Sequence, residues 1–390
     1  MEPTAPAFDL FWDDRFLDYD FGPGHPFQMS FRKLGVELVE RTLADRPGAP
    51  LGIDRHPTIA VAPRETLERF HTARYLDEVE AASDSPRGRF LDTGDTPAFP
   101  DCSRASARIA EATVEACRIA VDGDHRSVVQ PAGGLHHAHS DRASGFCVLN
   151  DVAVAIASLL DGPERVGRVA YVDIDAHHGD GVMYGFYEDG RLLDIDFHQD
   201  GRTIFPGTGR VDEVGRADGA GIKVNLPLPP GAGDDAFVPL FRRVVPPLIR
   251  DHRPELIILQ HGVDGHAGDL LAQLQYTSRS YLTAVTTLRE LAEELGHGRF
   301  VLLGGGGYLA ENVSLGLAES ILTLAGTSTL ARDSLPSKWR SHFKESTGRL
   351  APEDWSYCPP LHPSPWSADR EERLVGGLTE SLGRKFAPVS

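Results

Sequence analysis

Short apolar, β-rich runs recur along this chain, and four of them run straight into clusters of histidine, aspartate or tyrosine. The runs are 127–134 (SVVQPAGG), 167–175 (GRVAYVDID), 192–198, 222–228, 255–262 (ELIILQHG) and 299–307 (RFVLLGGGG). Between them, 103–121, 150–160, 234–250, 277–295 and 309–325 carry apolar residues at helical spacing. Strands joined by helix-length crossovers pair in parallel, and helices then cover both faces of the sheet. The expected class is therefore α/β with a central, mostly parallel sheet. LHHAH follows the first run, AHHGDG the second, VDGHAGD the fifth and YLAEN the sixth. Open parallel sheets hold their ligands at the carboxyl ends of strands, so these clusters are expected to meet.

No repeat interrupts this alternation, and 390 residues at 41% hydrophobic and 25% charged suffice for one large domain. The last sixty residues, with Trp339, Trp355, Trp366 and many prolines, lose periodicity. The expected organisation is a single domain over 1–390, with 331–390 as a C-terminal extension packed on it. A formal charge of -18 argues against direct nucleic-acid binding, which draws on Lys and Arg, and suits cationic partners. Cys102, Cys117, Cys147 and Cys358 form no C-x-x-C pair and read as buried thiols of a reducing compartment. The acidic start resembles no secretory signal, and no apolar stretch approaches ~18 residues, so a soluble, cytoplasmic protein without a membrane partner is expected.

The densest polar stretch is YVDIDAHHGDG, Tyr171 to Gly181. On an extended segment Asp173, Asp175 and His177 share one side, opposite Ile174, Ala176 and His178. Two carboxylates and an imidazole aimed at one point suit a catalytic metal with an open position. Asp175 and His177 are candidate ligands, with Asp264 the best third. Two oxygens and one nitrogen fit Zn²⁺, Fe²⁺ or Mn²⁺. His136 and His137, in GGLHHAHSDRASGFCVLND, each need an orienting group, and Asp173 and Asp180 are the carboxylates left over from the metal count. GGGGY lacks the Lys-Ser/Thr of a phosphate loop, so its glycines read as room for close backbone approach and Tyr308 as a hydroxyl donor to an oxyanion. His178, His261 and His266 read as packing or surface residues, and His198 as either packing or pocket lining.

With these residues in place, the sequence resembles the zinc-dependent histone deacetylase family, of the class I and bacterial acetoin-utilisation type. The resemblance runs from DYDFGPGHP (18–26) to GGGGY (304–308), through GGLHHAHSDRASGFCVLND, YVDIDAHHGDG, IFPGTG and GVDGHAGD. It implies the arginase/deacetylase fold, with eight strands, and hydrolysis of acetylated lysine side chains of a protein or peptide. It implies Zn²⁺, with Fe²⁺ possible, on Asp175, His177 and Asp264. His137 with Asp180 matches the general base, His136 with Asp173 its electrostatic partner, and Tyr308 the carbonyl-polarising phenol. Gly145, Phe146 and Phe205 match the tunnel walls, Leu271 the rim, and Asp95 the carboxylate gripping the substrate backbone. Arg32 stands one residue out of register with the arginine near the acetate channel. Asp196 replaces a serine beside a monovalent-cation site, so K⁺ near Asp173, Asp175, His177 and Asp196 is a hypothesis. The alternatives are an acetylpolyamine or other small-molecule amide as substrate, and a binuclear manganese ureohydrolase.

Overall fold

The computed structural model describes residues 8–44, 53–123, 127–162, 166–327 and 333–388. Residues 1–7 of the acidic start, and 331–332 and 389–390 of the expected extension, lie outside the described residues. Eight strands build one sheet: β1 (Phe8–Phe11), β2 (Ile53–His56), β3 (Ser127–Gln130), β4 (Val169–Asp173), β5 (Leu192–Gln199), β6 (Lys223–Leu228), β7 (Leu256–Gln260) and β8 (Phe300–Leu303). Their order is β2-β1-β3-β8-β7-β4-β5-β6. Every pair is parallel, so "mostly parallel" becomes all-parallel among the described residues.

Topology explains the convergence anticipated above. The four strands that run into polar clusters, β3, β8, β7 and β4, are neighbours at the centre of the sheet. Being parallel, they deliver those clusters to one edge. They also stop earlier than their apolar runs suggest, at Gln130, Asp173, Gln260 and Leu303, so the functional residues sit at the strand ends and in the segments just past them.

Alternation along the strands makes two cores. Leu193, Ile195 and Phe197 of β5 pack with Val224 and Leu226 of β6 under the helices Asp234–His252, Ser278–Glu294 and Ala310–Leu324. On the opposite face Tyr171, Leu192 and Ile258 meet the helices Cys102–Asp122 and Asp151–Asp161. The helix Asp234–His252 holds despite Pro239, Pro246 and Pro247. Its Phe237, Leu240, Phe241, Val244 and Val245 are buried against the sheet, and that burial outweighs the lost backbone bonds.

The C-terminal residues contribute to the first core. Trp339, Phe343, Trp355, Val375, Leu378 and Phe386 belong to it, and the Trp339 indole N–H donates to Leu34 O at 2.8 Å. Among the described residues no helix is long and apolar enough to cross a membrane. Cys102, Cys117 and Cys147 are buried free thiols, whereas Cys358 is exposed, beside Pro359 and Pro360 in a segment without regular structure. Trp339→Ala should destabilise the fold by about 3–5 kcal/mol, the range for emptying a buried tryptophan site. A urea midpoint equal to that of the parent would show that this packing contributes nothing.

Candidate active site

Asp175 and His177 lie on the turn that follows β4, and Asp264 lies after β7, the strand next to β4. His177 Nδ1 is 2.8 Å from Asp264 Oδ2 and 3.3 Å from Asp175 Oδ1. One ligand atom from each residue falls within 4.8 Å of the others, and all three residues are buried. The remaining oxygens are held from behind. Asp175 Oδ2 accepts from Gly306 N at 2.7 Å and Gln260 Nε2 at 2.9 Å, and Asp264 Oδ1 accepts from Ala176 N at 2.6 Å. A Cβ on Gly306 would lie 2.3 Å from Asp264 Oδ2 and 2.7 Å from Asp175 Oδ2. The GGGG run thus lets the backbone pass against the carboxylates, as its composition suggested.

The charges call for a cation. Burial, and then the charge of Asp175, push Asp264 up to about 8. Asp175 is held well below its usual range, because the charges of His136 and His177 override the effect of its burial. Two carboxylates facing one another without water are costly unless a positive ion lies between them. The donor set fits a divalent ion of the Zn²⁺, Fe²⁺ or Mn²⁺ kind.

Beside this cluster stand two imidazole–carboxylate pairs. His136 Nδ1 is 2.7 Å from Asp173 Oδ2, which also accepts from the Tyr171 hydroxyl at 2.6 Å. His137 Nδ1 is 2.8 Å from Asp180 Oδ1, and the two Nε2 atoms are 3.1 Å apart. Burial opposes charge on His136, yet Asp173 and Asp175 raise it to about 10. Burial and then the charge of His136 push His137 down to about 4, against the pull of Asp180. The pair is thus biased in opposite directions, His136 toward its charged form and His137 toward its neutral one. Asp173, the last residue of β4 and the carboxylate left over from the ligand count, faces His136.

The remaining expected residues line one cleft of about 320 Å³: Asp95, Gly145, Phe146, Phe205 and Leu271 surround His137, His177 and Tyr308. Phe205 is 41% exposed and Leu271 36%, at the rim, whereas Tyr308 is 7% exposed, deep inside. The Phe205 ring lies 5.1 Å from that of His137, and the Phe146 ring 6.0 Å from that of Tyr308. Gly145 and Phe146 take φ of 53° and 65°, a left-handed pair that turns the wall inward. Arg32 is buried behind the site, donating to Gly305 O and to Gln28 O. Asp196 Oδ2 accepts from Gly179 N at 2.6 Å, and its Oδ1 faces His198 Nδ1 at 2.6 Å. His178, His261 and His266 are buried packing residues, with His178 on Thr208 Oγ1 and His261 on Ser320 Oγ.

Three supports escaped the sequence reading. Gln260 ends an apolar strand, and its amide bridges Asp175 and Gly134 O. Asn150 caps the helix Asp151–Asp161 and donates to His136 O and Ala138 O, while Asp151 accepts from Gly134 N and Leu135 N. Asp269 accepts from Tyr308 N at 2.9 Å.

A family profile described as "Histone deacetylase domain" matches residues 35–324. "Acetoin utilization protein AcuC" of Bacillus subtilis (strain 168) is 31% identical over 355 residues, covering 89% of this chain and 89% of that protein. The protein of the same name from Staphylococcus xylosus is 30% identical over 353 residues, covering 88% and 89%.

Metal-loaded protein freed of excess ion should carry one divalent ion per chain by elemental analysis, and Asp264→Asn should carry almost none. The ion should raise stability by about 2.7 kcal/mol at a hundred times its dissociation constant. Two ions per chain, or full occupancy in the variant, would contradict the assignment.

Proposed function

Because this chain belongs to the histone deacetylase family, we propose that it hydrolyses the acetyl amide of acetylated lysine side chains in proteins or peptides, with zinc as its metal. One observation carries this reading: His137, His177 and Tyr308 line a cleft with aromatic walls, His136 and Asp175 line the small adjoining cavity that shares His137 and Tyr308 with it, and Asp264 closes the ligand cluster against His177. Flat apolar walls suit the methylene stem of a lysine.

A divalent ion held by Asp175, His177 and Asp264 would supply Lewis-acid polarisation and lower the pKa of water to about 7. His137, neutral and oriented through Nδ1 by Asp180, presents Nε2 to take a proton from the attacking water and return it to the leaving amine. His136, kept charged by Asp173, favours the negative charge that develops on the carbonyl oxygen. Burial and then the carboxylates of Asp264 and Asp175 hold the Tyr308 phenol well above its usual range, so it stays a donor to that oxygen. Asp95 at the rim accepts from the substrate backbone.

The ligand cluster is a single three-residue group among the described residues, which supports one ion over the binuclear ureohydrolase reading. A potassium ion near Asp173, Asp175, His177 and Asp196 would share Asp196 with His198, whose Nδ1 lies 2.6 Å from Asp196 Oδ1. The charge of -18 supports a cationic protein partner, and we place the activity in the cytoplasm. On metal-quantified protein, kcat/KM for an acetyl-lysine peptide should exceed that for an acetylpolyamine by at least ~10-fold. The reverse order would assign the site to small molecules.

Tyr308→Phe and His137→Ala should each cut turnover by at least ~10²-fold in folded protein, the scale of one oxyanion donor or one general base. Parent-level turnover in either variant would remove that residue from the chemistry.

Asp95 is pushed up to about 6, by partial burial first, then by its hydrogen bond with Asp92 and that neighbour's charge. A raised carboxyl is ionised above that value and loses its charge as pH falls through it. KM should therefore climb below about pH 6. In Asp92→Asn the climb should move to lower pH, and a KM profile identical to the parent's would exclude the pair from substrate binding.

A further inference from the structure

Asp180 has two oxygens, and the chemistry above uses one. Oδ1 faces His137 Nδ1 at 2.8 Å, while Oδ2 faces His139 Nε2 at 3.1 Å. The carboxylate is thus clamped between two imidazoles. One of them lines the substrate cleft. The other has 15% of its side chain exposed, and its neighbours Ser140 and Tyr184 line a separate cleft of about 1030 Å³.

His139 is itself fixed. Its backbone N donates to Arg142 O at 3.0 Å, and its ring stacks on Tyr184 at 6.4 Å with planes 13° apart. Tyr184 in turn donates its hydroxyl to Glu213 Oε1 at 2.5 Å. The other groups facing this corner are engaged or neutral. Asp141 and Arg142 pair with each other at 3.0 Å. Glu213 also accepts from Arg210 N at 2.5 Å. Burial pushes His71, which accepts from Asn150 N, down to about 4, and burial then the charge of His198 hold His178 well below its usual range.

A carboxylate with one partner can rotate and place its full charge on that partner. A second donor on the opposite oxygen stops the rotation and spreads the charge. We infer that His139 is a positioning residue of the deacetylation, acting through Asp180: its Nε2–H fixes the plane of that carboxylate and sets how strongly it pulls on His137. The inference rests on the reading of His137 as general base.

The test compares His139→Phe, which keeps a ring on Tyr184 but loses the donor, with His139→Gln, which keeps an N–H donor. In the phenylalanine variant Asp180 acts on His137 alone. The acidic limb of the kcat profile should then move up by about 0.5–1 pH unit, and kcat should fall about 3- to 10-fold with KM unchanged. The glutamine variant should recover most of the turnover and the parent limb. If the phenylalanine variant does not fold, His139→Ala should show the same displaced limb, and added imidazole should return it. An unmoved limb with parent kcat, or a glutamine variant as impaired as the phenylalanine one, overturns the inference. Failure of the underlying reading looks different, because His137→Ala would then retain turnover.

Discussion

Two carboxylates and an imidazole, buried together with their lone pairs directed at one point, form the interaction on which the rest of this structure depends. Asp175 and Asp264 meet across His177, both buried, where neither charge is comfortable alone. Around them the molecule spends its backbone: Gly306 N, Ala176 N and the Gln260 amide hold the outer oxygens. The inner ones are left for a cation. The glycines at 262 and 306 exist in that role, since a methyl group at either would strike a carboxylate.

That cluster is possible because four central strands run in parallel and end together. Each contributes one part of the chemistry. β3 leads to the histidine pair, β4 to Asp175, His177 and Asp180, β7 to Gln260 and Asp264, and β8 to the glycine turn and Tyr308. An antiparallel arrangement would send half of these groups to the opposite edge. Polar groups of this density need fixed partners, because a half-satisfied buried network costs more than an apolar core. The partners are present: Tyr171 behind Asp173, Asn150 and Asp151 behind the histidine loop, and His139 beyond Asp180.

Much of this was legible in the sequence, and the gaps have physical reasons. Six strands showed themselves through long apolar runs. β1 and β2 did not: their short runs, FDLF and IDRH, carry charged residues, and β2 is only partly buried at the sheet edge. The spacing D-x-D-x-H pointed to Asp175 and His177 as candidate ligands and left Asp173 over for a histidine, and the structure brings Asp173 to 2.7 Å from His136 Nδ1. Gln260, Asn150 and Asp269 were silent because their role lies in contacts to backbone brought from distant parts of the chain, which no local pattern encodes. The exposed thiol of Cys358 is the same lesson in reverse: cysteine is buried on average, and its proline-rich neighbourhood decided otherwise.

Asp175, His177 and Asp264 should grip one divalent ion jointly. Anomalous diffraction at the zinc edge, from crystals grown with zinc, tests it most directly. The account predicts a single strong peak about 2.0–2.2 Å from His177 Nδ1 and from one oxygen of each aspartate. A peak seated elsewhere, or a pair of peaks bridged by these carboxylates, would contradict it.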